Sequence, residues 1–187
     1  MNHIKAILLV ILTGMATSCS KDNDDKPVTE NTYQLLIDKA DFDTREIKNN
    51  PNELELGYEF RPLTSGKITA LVAKLPVAKS GLVVNIWDRS NYTIVRTETF
   101  DVLDTDIETV FNIPAFPVQK NHVYAIAMQA KDYYINKYVT NTPRTFPYNC
   151  GNIEILGFGA HAPGIYPDVN GINIFFGDIG FKFIKTE

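Results

Sequence analysis

The chain has 187 residues, enough for one domain with a real hydrophobic core once its N-terminal segment is set aside. A formal net charge of -4 and a pI ≈ 5.4, with no cluster or stripe of Lys and Arg, give no attraction for phosphates and exclude nucleic acid as an expected partner. Tyr and Phe are plentiful beside a single Trp, a composition that leans toward strands.

Residues 1–18 begin with Met1-Asn2-His3-Ile4-Lys5, continue through the apolar run Ala6–Leu12, and end in the small residues Thr13–Ser18. That order of charged, apolar and small segments is a secretory signal peptide, and the run is shorter than the roughly 20 apolar residues that span a bilayer. Ala16-Thr17-Ser18-Cys19 resembles the lipobox of bacterial lipoproteins, with Ala16 where that family usually carries Leu. The resemblance implies that Cys19 is the acylated first residue of the mature chain. Several acyl chains, at about 0.8 kcal/mol per buried CH₂, would then hold the protein to a membrane.

Residues 19–30 read as a charged tether without apolar content until Val28. Its aspartates Asp22, Asp24 and Asp25 resemble the acidic export signal behind the lipidated cysteine in surface lipoproteins of the Bacteroidetes. That resemblance implies an outer-membrane protein facing outward. A calcium loop is disfavoured, because the glycine and distant glutamate of a coordinating loop are missing.

Residues 31–187 are expected to form one domain. Asp38–Asn50 reads as a short helix or an irregular lead-in, and Asn49-Asn50-Pro51-Asn52 as a turn. Short runs of alternating apolar and polar residues then predict strands at Glu53–Arg61, Lys67–Leu75, Leu82–Asp88, Thr93–Asp101, Ile107–Ile113, His122–Ala130, Tyr133–Val139, Ile153–Ala160 and Ile172–Ile184. Leu82–Trp87 is apolar on both faces and should be central. Pro62, Pro76, Pro114 and Pro117 sit at the ends of runs, where no ladder N–H is needed. Stacked face to face, such strands give an all-β, antiparallel β-sandwich of jelly-roll or immunoglobulin-like type.

Four segments taken in order resemble a β-sandwich domain-of-unknown-function family of bacterial secreted proteins. They are Leu56-Gly57-Tyr58-Glu59-Phe60, Ser65-Gly66-Lys67-Ile68-Thr69-Ala70-Leu71, Val84-Asn85-Ile86-Trp87-Asp88 and His122-Val123-Tyr124-Ala125-Ile126-Ala127. The resemblance covers residues 54–139 and implies glycan binding or surface adhesion.

Catalytic signals are weak. No serine stands in a Gly-x-Ser-x-Gly turn, and His122 and His161 lack a companion at zinc-ligand spacing, so neither a catalytic set nor a metal or cofactor is expected. Cys150, left without a partner if Cys19 is acylated, reads as a small buried residue. The acidic stretch Asp101–Glu108 reads as a solvated turn. Aromatic residues are the better lead, because sugars present flat C–H faces to exposed rings. Trp87 is expected to be packed, while of Tyr133 and Tyr134 one should point outward. Tyr134, Tyr148, Tyr166 and Asp168 are the candidate ligand-binding residues, the last three in or beside segments rich in Pro, Gly and Asn. The expected function is a non-catalytic, lipid-anchored surface protein that binds a glycan or a surface protein. The alternatives are a small secreted hydrolase using the acidic turn and a structural subunit of a surface fibre.

Overall fold

The computed structural model describes residues 28–138, 146–171 and 173–186. The signal segment, Cys19 and the aspartates of the tether lie outside the described residues, as does most of the loop that follows Tyr138. The described chain runs β1 (Thr29–Asn31), α1 (Thr32–Ala40), β2 (Thr44–Pro62), β3 (Gly66–Lys74), β4 (Lys79–Asp88), β5 (Thr93–Val102) and β6 (Thr109–Val118). It continues through β7 (Tyr124–Lys137), β8 (Tyr148–Cys150), β9 (Ile153–His161), β10 (Val169–Gly171), β11 (Ile174–Phe176) and β12 (Asp178–Lys185).

Two antiparallel sheets pack as the expected all-β sandwich. The smaller has the order β1-β12-β3-β6; the larger has β10-β9-β2-β7-β4-β5, with β11 added to β7 and β8 to β9. The chain changes sheet at β1 to β2 through α1, and again at β2 to β3, β3 to β4, β5 to β6, β6 to β7 and β11 to β12. An immunoglobulin-like sandwich would keep several of those successive pairs within one sheet, so the connectivity is that of a jelly roll. Strands β8 to β11 are an insertion between the last two strands of that frame.

Inward-facing residues of both sheets meet in one core, with Leu56, Tyr58 and Phe60 of β2 set against Phe181 and Phe183 of β12. Phe60 and Phe181 lie 4.7 Å apart between ring centres. At the open side, Phe100 of β5 stacks on Phe111 of β6 at 4.6 Å and closes the gap between the sheets.

Five local expectations need correction. The runs expected as separate strands at His122–Ala130 and Tyr133–Val139 are one continuous strand, β7. The segment Asp38–Asn50 is mostly strand, since β2 begins at Thr44, and the helix lies before it over Thr32–Ala40: Asn31 accepts a bond from the Gln34 amide at 3.3 Å as its N-cap, and Tyr33, Leu36 and Ala40 bury one stripe. The Asn-Pro-Asn turn is instead a bulge inside β2, where the register with β7 shifts between Asn49 and Leu54. Pro114 and Pro117 lie within β6 rather than at its end. They are tolerated because β6 is an edge strand and Pro114 falls where its register with β3 shifts, between Asn112 and Phe116. The last run is two strands: Gly177, at φ 75°, takes the chain from the larger sheet to the smaller, and a Cβ there would come within 2.6 Å of Met128.

A polar network ties α1, β2, β7 and β12 together inside the sandwich. The fully buried Asp178 accepts bonds from the Tyr33 hydroxyl at 2.9 Å, Asn136 Nδ2 at 2.7 Å and Arg45 at 2.6 Å. Burial lifts its carboxyl above the ordinary range, and Arg45, Tyr33 and Asn136 pull it back only in part. The folded protein therefore holds this proton more tightly than the unfolded chain, and stability falls as pH rises from the unfolded pKa of about 3.9 through the folded value. Urea unfolding between about pH 3 and pH 7 should show the wild type losing ground relative to Asp178→Asn as pH rises. An opposite slope would mean that Arg45 dominates.

Cys150 is free and fully buried, and burial pushes its thiol up to about 11. Iodoacetamide at neutral pH should leave Cys150 unmodified in the native chain and alkylate it in urea, as read by peptide mass.

Candidate ligand-binding face

The outer face of the larger sheet, turned away from the core, is laid out by strand register in three rows. His161, Glu55 and Gln129 share the first; Gly159, Gly57, Ala127, Asn85 and Thr97 the second; Gly157, Glu59, Ala125 and Trp87 the third. The middle of this face is floored by glycine and alanine, leaving a trough into which the loop 162–168 folds back. At Gly159 a Cβ would lie 2.3 Å from the Pro167 carbonyl oxygen and 2.4 Å from that of Asp168, so only glycine lets the loop backbone lie so close.

Glu55 is fully buried in this trough. Its Oε1 accepts from Asn85 Nδ2 at 2.8 Å and Trp87 Nε1 at 3.2 Å, and its Oε2 from Gln129 Nε2 at 3.0 Å and the Gly164 amide at 3.2 Å. Among the described residues no cation lies within ion-pair range of it. Neutral donors from two strands and the loop replace the water that the carboxylate has lost.

Beside it an aromatic series runs from the interior to the surface. The ring of Tyr166, 5% exposed, stands edge-on to Trp87 at 5.8 Å and to Tyr92 at 5.0 Å. Its hydroxyl donates to Glu59 Oε1 at 2.7 Å, which also accepts from Arg89 Nε at 2.8 Å. Burial and the adjoining Glu59 push the Tyr166 phenol far above its ordinary value, so it is a neutral donor at any physiological pH. The Arg89 guanidinium sits over the Tyr92 ring at 4.5 Å and bonds its hydroxyl. Burial works against the charge on Arg89, but Glu59 and the two tyrosines outweigh it.

Tyr92 is the exposed end of this series. It is 48% exposed and held at φ 58°, a conformation that costs a bulky residue about 1–3 kcal/mol. The turn that holds it is wired internally. Asp88 Oδ1 accepts from the Ser90 amide and hydroxyl at 2.8 and 2.7 Å and lies 2.9 Å from His122 Nε2, while Asn91 Oδ1 accepts from the Thr93 hydroxyl at 2.7 Å. Burial alone would raise the Asp88 carboxyl, yet the Ser90 and His122 bonds hold it below its usual range.

Of the residues singled out from sequence, Tyr166 and Asp168 come together on this loop, where the Asp168 amide donates to the Tyr166 carbonyl at 2.9 Å and the Asp168 side chain is exposed. Tyr134 and Tyr148 stand elsewhere and share no partner with them. Tyr134 is buried under Arg45, whose guanidinium lies 3.5 Å from its ring centre, and donates to Asp106 at 3.0 Å. Tyr133 is buried too, so neither of the pair points into solvent: Tyr134 falls on the core-side row of Ile126 and Met128, where Arg45 covers its ring, and Tyr133, on the outward row, is buried with its hydroxyl accepting from Asn50 Nδ2 at 2.9 Å. Tyr148 is half-buried and bonded hydroxyl to hydroxyl with Tyr138 at 2.8 Å. Trp87 is packed, as expected. Tyr92 was not singled out; its signal was an aromatic residue closing the otherwise polar turn Asp88-Arg89-Ser90-Asn91.

In the acidic stretch, Asp101 accepts from the Ser80 hydroxyl and the Gly81 amide at 2.8 Å each, and Asp106 pairs with Lys74 at 3.0 Å. Among the described residues no group of three or more His, Cys, Asp or Glu side chains is placed to hold a metal ion. No protein-family model matches the chain, and no curated protein matches it significantly.

Trp87 is the sole tryptophan, so its fluorescence reports on this face. Tyr166→Ala should shift its emission to the red and cost about 3 kcal/mol of stability in urea. Tyr166→Phe should leave the emission in place and cost about 1–3 kcal/mol, because the Glu59 carboxylate loses a buried donor.

Proposed function

We propose that the protein is a lipid-anchored, non-catalytic binding protein of the cell surface that recognises a glycan through the Tyr92 face of its larger sheet. Acylated Cys19 ties it to the outer membrane, with the β-sandwich turned outward. The observation that carries the binding reading is Tyr92 itself, a large exposed ring kept at strained backbone angles by a turn and braced by Arg89 and Tyr166. Strain of this kind persists only where the surroundings impose it, and it concentrates at ligand sites. A ring immobilised before binding loses little entropy when a sugar's C–H face stacks on it. Arg89, over the ring, supplies a charged donor, and the exposed Asp168, two residues after Tyr166 on the loop, offers an acceptor for hydroxyl groups. The likeness of residues 54–139 to secreted β-sandwich modules and the lipobox-like Ala16–Cys19 support the same reading.

A glycan array probed with the full chain should return a ligand that changes Trp87 fluorescence on titration. Tyr92→Ala should weaken that ligand about tenfold or more, equivalent to about 1.4 kcal/mol, while leaving the unfolding transition two-state. A ligand bound equally well by Tyr92→Ala would place recognition elsewhere, and cleavage of the array sugars would overturn the non-catalytic reading. Intact mass in the native host should show an acylated Cys19, and Cys19→Ser should abolish that mass.

A further inference from the structure

The main paths of the two sheets end in β1, β6, β10 and β5, with the three-residue strands β8 and β11 added beside them, and most of these edges are short or broken by proline, which hinders pairing with another chain. Strands β1 and β10 have three residues each, and β6 contains Pro114 and Pro117. Strand β5 differs: it has ten residues, contains neither proline nor lysine, and among the described residues its ladder is made with β4 alone. A bulge at Val95 turns Ile94 and Val95 both outward, 42% and 40% exposed, beside the half-exposed Tyr92. From Arg96 to Phe100 the strand is regular. Arg96 and Glu98 stand opposite Ile86 and Val84 on the core-side row, so this edge is charged there, and its regular run from Arg96 to Phe100 is the part a neighbouring strand can pair with.

The sequence of β5 also says which strand. Arg96 and Glu98 sit two residues apart on one face and pair with each other. In an antiparallel pairing of β5 with a second β5 about a two-fold axis at Thr97, each Arg96 falls opposite the other copy's Glu98, and each Val95 opposite a Thr99. The charges alternate across the seam into a closed ladder of two arginines and two glutamates, and opposite charges facing each other across strands favour such a pair. Centring the axis on Glu98 would instead oppose like charges.

We infer that a second copy of this chain pairs along β5, giving a two-fold dimer in which the two larger sheets become one continuous sheet. Because the same patch serves both copies, the contact closes on itself and does not propagate into a fibre. The pairing stands independently of what the Tyr92 face binds.

Two differently tagged copies of the full chain, co-expressed, test this. Wild-type copies should co-purify, and sedimentation should give a mass of two chains that does not grow with concentration. Arg96→Glu copies should not co-purify with each other, nor Glu98→Arg copies with each other, since each seam then carries four like charges. An Arg96→Glu copy and a Glu98→Arg copy expressed together should co-purify again, which loss of the pair within each chain cannot explain. Circular dichroism of each variant should match the wild type. A monomeric wild type, growth beyond two chains, or dimers indifferent to both charge reversals would each overturn the inference.

Discussion

Glu55 is the constraint around which the outer face is organised. A carboxylate taken wholly out of water costs several kcal/mol, and here no cation offsets that cost among the described residues. Four N–H groups do it instead, one from β7, two from β4 and one from the loop after β9. Each donor is thereby fixed in place: Asn85 is oriented so that its oxygen accepts from Thr97 at 2.7 Å, and Trp87 is held with its indole N–H turned toward the middle of the sheet. The loop cannot leave without stripping the carboxylate of one bond and Glu59 of its Tyr166 donor at the same time.

From that fixed point the order propagates outward through rings. Trp87 sets the edge on which Tyr166 rests, Tyr166 sets the edge on which Tyr92 rests, and Arg89 bridges the last two while pairing with Glu59. An edge-to-face contact between rings is worth about 0.5–1.5 kcal/mol beyond the area it buries. One such contact, from Tyr166, and the Arg89 cation over the ring are together of the same size as the strain at Tyr92, which is why that conformation can be held in an exposed turn.

The frame was legible in the sequence because strand periodicity is a local signal. A run apolar on both faces made β4 central, as it is, between β5 and β7. What alternation does not carry is which sheet a strand joins. The run Ile172–Ile184 reads as continuous, yet one glycine at positive φ divides it between sheets, and the Asn-Pro-Asn segment reads as a turn although a bulge absorbs it. The site was legible only in fragments. Tyr166 was singled out for its loop, but its partners Glu59, Arg89 and Tyr92 come from β2 and the β4 to β5 turn, far away in the chain. Tyr134 was misjudged because two adjacent tyrosines say that one faces outward but not which: Tyr134 falls on the row of Ile126 and Met128, under Arg45 from β2.

The trough is shared between the frame and its insertion. Glu55, Asn85, Trp87 and Gln129 stand on β2, β4 and β7, which belong to the eight-strand jelly roll, while Gly157, Gly159, Gly164 and Tyr166 belong to the insertion. Without the insertion, Trp87 would lie open on a flat sheet and the Glu55 carboxylate would take its remaining hydrogen bond from water. With it, the frame's polar groups are used up in holding the loop, and the surface left to solvent is the rim formed by Tyr92 and Arg89 beside Tyr166. Sequence variation within residues 162–168 can therefore reshape that rim without touching the core, since Gly159 supports the loop through backbone contact alone. The division also explains why one edge of the larger sheet is covered and the other bare: β9 and β10 are added beyond β2, and nothing comparable is added beyond β5 among the described residues.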